Sequence, residues 1–298
     1  ALVDVDEINI KKAQKLFPFT PVYKDIVQCL NKVKPDIVVI ATPPSSHYIV
    51  LKSVINSGCK LIVCEKPLSD SLVSARKILN MTSRSGKLVM VNHQRRFFKN
   101  FQKARNDIAN GRLGEIQQMA ASYSNGLFNN GTHIIDSIIF LTGAEPDFVI
   151  GLKDSKNTEC PLGDCNVSGI VSFKGGFNLS IQSFDNGLYG IHDINILGTK
   201  GALKISDYGY KFSWSKISKS KFFDGLNVLQ EANGKAKNIG ESMIKGVVDE
   251  GIELLNSESH NDHSLRDAHR TLSILDALRK SSEKESKKIL IKSHVNNK

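Results

Sequence analysis

Two short stretches carry side chains suited to holding a polar ligand and moving a proton. In KLIVCEKPLSD, Lys60 to Asp70, an apolar run ends on Glu65, Lys66 and Pro67. A lysine at such a strand end can be desolvated, hold a hydroxyl oxygen and share its proton, with the adjacent carboxylate tuning its charge. In FNNGTHIIDSIIFLTG, Phe128 to Gly143, His133 opens an apolar helix, with Asp136 one turn later and Asn129 four residues earlier. Residues three and four apart share a helical face, so His133 and Asp136 converge on one site. Asn129 joins them if the approach turn is suitably curved. Histidine titrates near neutral pH and suits acid–base work. Asparagine hydrogen-bonds a hydroxyl but accepts no proton from it.

Further candidates surround these two stretches. Arg95 and Arg96, in NHQRRF, can grip a carboxylate or phosphate bidentately; one is expected to bind substrate and the other to make a structural ion pair. Tyr123 and Asn125, near the end of IQQMAASYSN, are expected to face the substrate pocket. CPLGDC, Cys160 to Cys165, has metal-like spacing, but no second Cys/His pair accompanies it. His260, His263 and His269 lie in a polar stretch without a cysteine or a dense acid set, and read as a solvated helix cap. No metal is expected.

The elements that must position these groups alternate through the first third. VYKDIVQCLNKV sets Ile26, Leu30 and Val33 on one helical face, and DIVVIAT is a β-branched run of the kind buried on both sides of a sheet. Ser45 or Ser46 can cap a helix carrying Leu51, Val54 and Ile55 and ended by Gly58. KLIVC, a helix with Leu72, Ala75 and Leu79 stopping near Gly86, and KLVMVN complete the alternation. The spacing predicts a parallel sheet of βαβ units, hence a doubly wound α/β domain over 1–92. Ligands of such sheets lie at the carboxyl ends of the strands. Thr42, Pro43, Glu65, Lys66 and Asn92 should line one rim with His93, and His47 should neighbour the cofactor. Asp4 shares that rim; an acid there suits ribose hydroxyls, repels a 2′-phosphate and so favours NAD over NADP. The chain opens on Ala at what reads as the second strand, with no GxGxxG turn upstream. A central first strand and its Gly-rich turn, about thirty residues, are therefore expected before Ala1.

After 92 the pattern changes. FVIGLK, VSGIVSFKGGFNLSIQSF and DINILGTKGALKISD carry short alternating strands, with Gly175 and Gly176 placed as a hairpin turn. Helical patterns follow at 241–255 and 264–282. This predicts a separate α+β substrate domain over 93–298. A length of 298 residues fits two domains, and 40% hydrophobic residues supply their cores. No apolar run approaches the roughly 20 residues of a membrane span, and no secretory signal opens the chain. The five cysteines lack a disulfide framework, so the reading is a soluble cytoplasmic protein. The net charge of +10 comes from scattered lysines without interleaved aromatics. That is a solvated surface, not a nucleic-acid or membrane face, although it attracts anionic nucleotides.

The ordered set DIVVIATPPSSH, KLIVCEKPLS, VMVNHQRRF, GRLGEI, NNGTHIID and ILGTKGALKI resembles the glucose–fructose oxidoreductase / inositol dehydrogenase / rhizopine-catabolism oxidoreductase family, over nearly the whole chain. The resemblance implies a Rossmann-type domain followed by an α/β domain with a large open antiparallel sheet. It implies hydride transfer between NAD(P) and a hydroxyl or keto carbon of a sugar, cyclitol or nucleotide sugar, in a homodimer or homotetramer. Lys66 would point between nicotinamide and substrate, its bond to Pro67 could be cis, and His133 would be the acid/base or a substrate ligand. Many relatives carry aspartate where Asn129 stands, which shifts the proton chemistry onto His133 and Lys66. The alternative is a non-catalytic regulatory protein of the same superfamily that binds a dinucleotide or sugar.

Overall fold

Short β-branched runs separated by amphipathic helices build the first unit of the chain, Ala1–Asn92 with Asp249–Arg266. In chain order its elements are β1 (Leu2–Val3), α1 (Glu7–Leu16), β2 (Val22–Tyr23), α2 (Ile26–Val33), β3 (Ile37–Ile40), α3 (His47–Ile55), β4 (Leu61–Cys64), α4 (Leu72–Ser85) and β5 (Leu88–Val91). The structure, a computed structural model, describes residues 1–154, 160, 161, 163–231, 243–256 and 263–292. β3, β4 and β5 pair in parallel, while β1 and β2 form a separate parallel pair. All four residues of β4 are buried, as its central place in the three-stranded sheet requires. The run in β3 does not meet the expectation of burial on both sides. Val39 is 65% exposed and Ile37 43%, and among the described residues β3 pairs with β4 alone, at the edge of the sheet.

Local chemistry bounds the helices, though α3 ends at Ile55 with Asn56 as its C-cap and not at Gly58. The Asp25 carboxylate accepts from Gln28 N–H to start α2, Ser71 does so from Ser74 N–H for α4, and Gly86 stops α4 at φ 67°. Ser46 precedes α3 without capping it; its hydroxyl donates to the Pro43 carbonyl at 2.8 Å instead.

The second unit, His93–Val248 with Asp267–Lys298, contains α5 (Lys99–Ala109), β6 (Ile116–Ser124), α6 (Thr132–Thr142), β7 (Pro146–Lys153), β8 (Val167–Phe173), β9 (Asn178–Phe184), β10 (His192–Gly198), β11 (Gly201–Ser206), β12 (Lys211–Lys219) and β13 (Asn227–Glu231). Two long helices, α7 (Met243–Asn256) and α8 (His263–Ser282), and the short β14 (Ile289–Leu290) follow; α7 and α8 each begin in one unit and end in the other. Nine strands form one sheet in the order β13-β12-β11-β10-β6-β9-β8-β7-β14. It is antiparallel except for the parallel pair β6–β9, so the sheet is mixed. Alternate residues of its inner face, among them Met119, Ala121, Leu179, Ile181, Ile194 and Ile196, pack with α6 residues Ile134, Ile135 and Ile138 and α8 residues Ile274, Leu275 and Leu278. At Gly151 a Cβ would sit 2.2 Å from the Leu278 carbonyl, so this glycine lets α8 lie against β7 backbone to backbone. The expected hairpin joins β8 to β9, with Gly176 at φ 81° and its N–H donated to the Phe173 carbonyl. Among the described residues no helix is long and apolar enough to cross a membrane.

Candidate active site

In the first unit, parallel pairing puts the residues after β3, β4 and β5 at one edge of the sheet. Backbone bonds fix their levels: Glu65 N–H donates to the Ile40 carbonyl at 2.8 Å and Asn92 N–H to the Cys64 carbonyl at 2.7 Å. Side chains join the same edge, Asn92 Nδ2 donating to Glu65 Oε1 at 2.6 Å. The other Glu65 oxygen accepts from the Lys66 backbone N–H at 3.3 Å, and the Lys66–Pro67 bond is cis. Thr42 Oγ1 and Asn92 Oδ1 are buried with no hydrogen-bond partner among the described residues. Buried polar atoms are almost always paired, so two partnerless ones on a strand-end rim are the mark of a place where a polar group belongs. The rim thus fits a dinucleotide cofactor, which Thr42, Pro43, Glu65, Lys66 and Asn92 would hold.

Two of the sequence candidates behave differently. His47, at the start of α3, is fully buried, and its ring nitrogens face backbone carbonyls: Nε2 that of Thr42 at 2.8 Å, Nδ1 those of Pro67 and Leu68 at 3.1 and 3.3 Å. It pins the loops after β3 and β4 together and acts on the rim through them. Beside it, burial pushes the Cys64 thiol up to about 12, which leaves an inert thiol. Asp4 follows β1, partly exposed, and accepts from Asp6 N–H at 2.9 Å.

In the second unit β6 runs into a left-handed Asn125 (φ 67°), Gly126 (φ 93°) and a wide π-helical turn, Gly126–Gly131, that feeds α6. The turn carries Asn129 and leads into His133 in the first turn of α6, and its N–H groups are held by a distant loop. The Asp164 carboxylate accepts from Phe128 N–H at 3.0 Å and Asn129 N–H at 2.9 Å. Asn166 Oδ1 accepts from Gly126 N–H at 3.0 Å, and the Cys165 carbonyl from Leu127 N–H at 2.7 Å. Asn129 Nδ2 turns back to the Asn125 carbonyl at 3.1 Å. The His133 ring, 8% exposed, meets the His93 ring edge-on at 6.3 Å. Asp164 and Asn166 escaped sequence reading, since nothing local in CPLGDCN marks them as caps for a turn more than thirty residues earlier.

The helical spacing of His133 and Asp136 does not bring them to one ligand. Asp136 is buried under a bidentate grip from Arg96, with Nε at 2.8 and 3.0 Å from its two oxygens and Nη2 at 2.7 Å. His93 Nδ1 lies 3.1 Å from the same carboxylate, and Arg96 Nη1 also donates to Asp267 at 2.8 Å. Asp136 is a structural anion, and Arg96 is the structural arginine of the pair. Tyr123 is likewise in the core: its hydroxyl donates to the Val167 carbonyl and accepts from Val167 N–H, so it does not face a pocket. Burial raises its pKa. Of the 260–269 histidines, 260 lies outside the described residues, as does the side chain of 263, and His269 is buried, not a solvated cap. Among the described residues no group of three or more His, Cys, Asp or Glu is placed to hold a metal ion.

A parallel sheet with a polar strand-end rim and a large mixed sheet that carries a buried histidine at the head of α6 define an α/β protein with an appended α+β domain. Residues 1–93 match the model of the Gfo/Idh/MocA oxidoreductase family, NAD-binding Rossmann fold, and residues 85–289 that of its C-terminal alpha/beta domain; the chain belongs to this family. An uncharacterized oxidoreductase of Schizosaccharomyces pombe is 30% identical over 169 residues, 51% of this chain and 45% of that protein. Inositol 2-dehydrogenase of Rhizobium meliloti is 29% identical over 187 residues, 56% of each. The chain thus spans about half the length of the curated relatives it matches. A levoglucosan dehydrogenase solved with NADH and levoglucosan superposes with a TM-score of 0.81 at 17% identity, covering 98% of this chain and 90% of that one. That likeness is one of fold.

Proposed function

We propose that the protein is a nicotinamide-dependent oxidoreductase acting on a hydroxyl or keto carbon of a sugar, cyclitol or nucleotide sugar, with NAD preferred over NADP. The observation that carries this reading is the rim after β3, β4 and β5, where Thr42 and Asn92 leave buried polar atoms without partners among the described residues. Family membership and the sugar and cyclitol activities named for relatives support it. When bound, the nicotinamide supplies the two-electron acceptor for the hydride leaving the carbinol carbon. His133 takes the hydroxyl proton, and Lys66 holds the hydroxyl oxygen and shares its hydrogen bond. Asn129, on the turn that leads into the helix of His133, orients the sugar by hydrogen bonding. Asp4 binds ribose hydroxyls and disfavours a 2′-phosphate.

The test is NADH formation by the complete protein with glucose, glucuronate, myo-inositol and levoglucosan. His133→Ala and Lys66→Ala should each lower kcat by about 10²-fold or more. Unchanged turnover in the double variant removes the assignment. Quenching of NADH fluorescence by a protein that turns over none of these compounds would instead favour a regulatory binder.

A further inference from the structure

Arg95 and Arg96 are consecutive, and both side chains are only 6% exposed, yet they are provided for unequally. Arg96 is gripped by Asp136 and Asp267. Arg95 Nε and Nη1 are buried with no partner among the described residues. An uncompensated buried guanidinium is costly, and its fork has the geometry of a carboxylate or phosphate. Burial brings Arg95 down to about 10, so it is still a cation at neutral pH.

Its surroundings are those of a recognition site. The turn 207–209 lies against it: a Cβ on Gly209 would sit 3.4 Å from Arg95 Nε. Asp207, Tyr208 and Gly209 all have positive φ, 53°, 55° and 94°, and such clustered departures concentrate at ligand sites. The Tyr208 ring stacks on His192 with centroids 6.2 Å apart, and His192 Nε2 is a further buried nitrogen with no partner among the described residues. Burial, helped by the Arg95 charge, holds His192 neutral. His192 pairs with Tyr123 across β10 and β6, and Ser124 Oγ accepts from Ile191 N–H at 3.3 Å. The cluster therefore stands at the end of β6 from which the Asn129–His133 turn departs.

We propose that Arg95, with His192 Nε2 beside it, binds a negatively charged group on the substrate, which makes the substrate an acidic polyol bearing a carboxylate or a phosphate. A neutral hydroxyl would leave the guanidinium uncompensated; anionic oxygens of a carboxylate or phosphate accept from Nε–H and, on the other side of the group, from Nη1–H. This inference rests on the oxidoreductase reading for its chemistry, but its anion requirement can be measured without turnover.

The experiment titrates the complete protein, at constant ionic strength, with glucose, glucuronate, glucose 6-phosphate and inorganic phosphate, by calorimetry and by NADH formation. Wild type should bind glucuronate or glucose 6-phosphate at least about tenfold more tightly than glucose. The two sugars separate carboxylate from phosphate recognition, and free phosphate reports the anion alone. Arg95→Met should abolish the preference for the anionic sugars, and Arg95→Lys should restore part of it. If Arg95→Met does not fold, the wild-type preference and the lysine variant decide. Equal affinity for neutral and anionic sugars, or an anion preference that survives Arg95→Met, overturns the proposal; water alone then satisfies the guanidinium. Turnover of sugars without anion preference sinks this inference and leaves the oxidoreductase reading standing. Arg95-dependent anion binding without turnover does the reverse.

Discussion

Tyr123 shows how a residue that reads as a ligand can serve the scaffold. Its hydroxyl closes both the N–H and the C=O of Val167 at the start of β8. Tyr123→Phe should cost about 1–3 kcal/mol in urea denaturation, since two buried backbone groups lose their partner, while substrate KM is unchanged. Asp136→Ala should cost more, about 3–5 kcal/mol, because Arg96 would then be buried with only Asp267 opposite it. His192 adds a pH dependence. Burial first, and Arg95 second, hold its folded pKa well below 6.5. The unfolded chain takes up a proton at about pH 6.5 that the folded state refuses. The stability contributed by neutral His192 is therefore complete above about 6.5 and is lost as pH falls toward the folded value. Urea midpoints of wild type should drop faster below that pH than those of His192→Asn; parallel curves would mean that His192 titrates normally.

At the scale of elements, the clamp from the 164–166 loop onto the turn before α6 ties the proposed proton acceptor to the far side of a long connection. Gly126 is needed there twice over: its φ is 93°, and a Cβ would meet Asp164 Oδ2 at 2.2 Å. Asp164→Ala removes the acceptor of the Phe128 and Asn129 N–H groups, and with it the carboxylate on which Cys165 N–H closes at 2.7 Å. Amide exchange at 128 and 129 should accelerate at least about tenfold, and kcat should fall by a similar factor as His133 loses its fixed position. Nucleotide binding, proposed for the first unit, should be unchanged; unaltered exchange would deny the clamp any positioning role. The sequence made the elements on either side of this clamp readable, because periodicity is local: the strands β3, β4 and β5, the Gly175–Gly176 hairpin and the two late helices all follow from patterns within about twenty residues. Three things were beyond it. The edge position of β3 depends on which strands pair. The choice between Arg95 and Arg96 depends on where Asp136 and Asp267 arrive. The clamp depends on a carboxylate brought from 35 positions away.

For the molecule as a whole, the sequence signals the first passage between units, at Asn92–His93, through a change of pattern. It gives no sign of the return, since an amphipathic helix reads alike whichever core receives it. Asp249–Arg266 belongs to the first unit, where Ser264 Oγ accepts from Val91 N–H at 3.1 Å and Gly251 approaches Leu61. A Cβ on Gly251 would sit 3.1 Å from Leu61 Cδ2 and 4.0 Å from Met90 Cε, so a larger side chain there has to displace the segment. Gly251→Leu should destabilise the first unit by about 1–3 kcal/mol through overpacking. The single tryptophan separates the two units in such an experiment. Trp214 lies on β12 of the second unit with the Arg112 guanidinium 3.9 Å from its ring centroid, so its fluorescence reports that unit alone, whereas circular dichroism reports both. In Gly251→Leu the dichroism transition should begin at lower urea than the fluorescence transition, and protease should cut first within 249–266. If both signals shift together with no new cleavage, the returning segment is not a separable part of the first unit, and the two cores stand or fall as one.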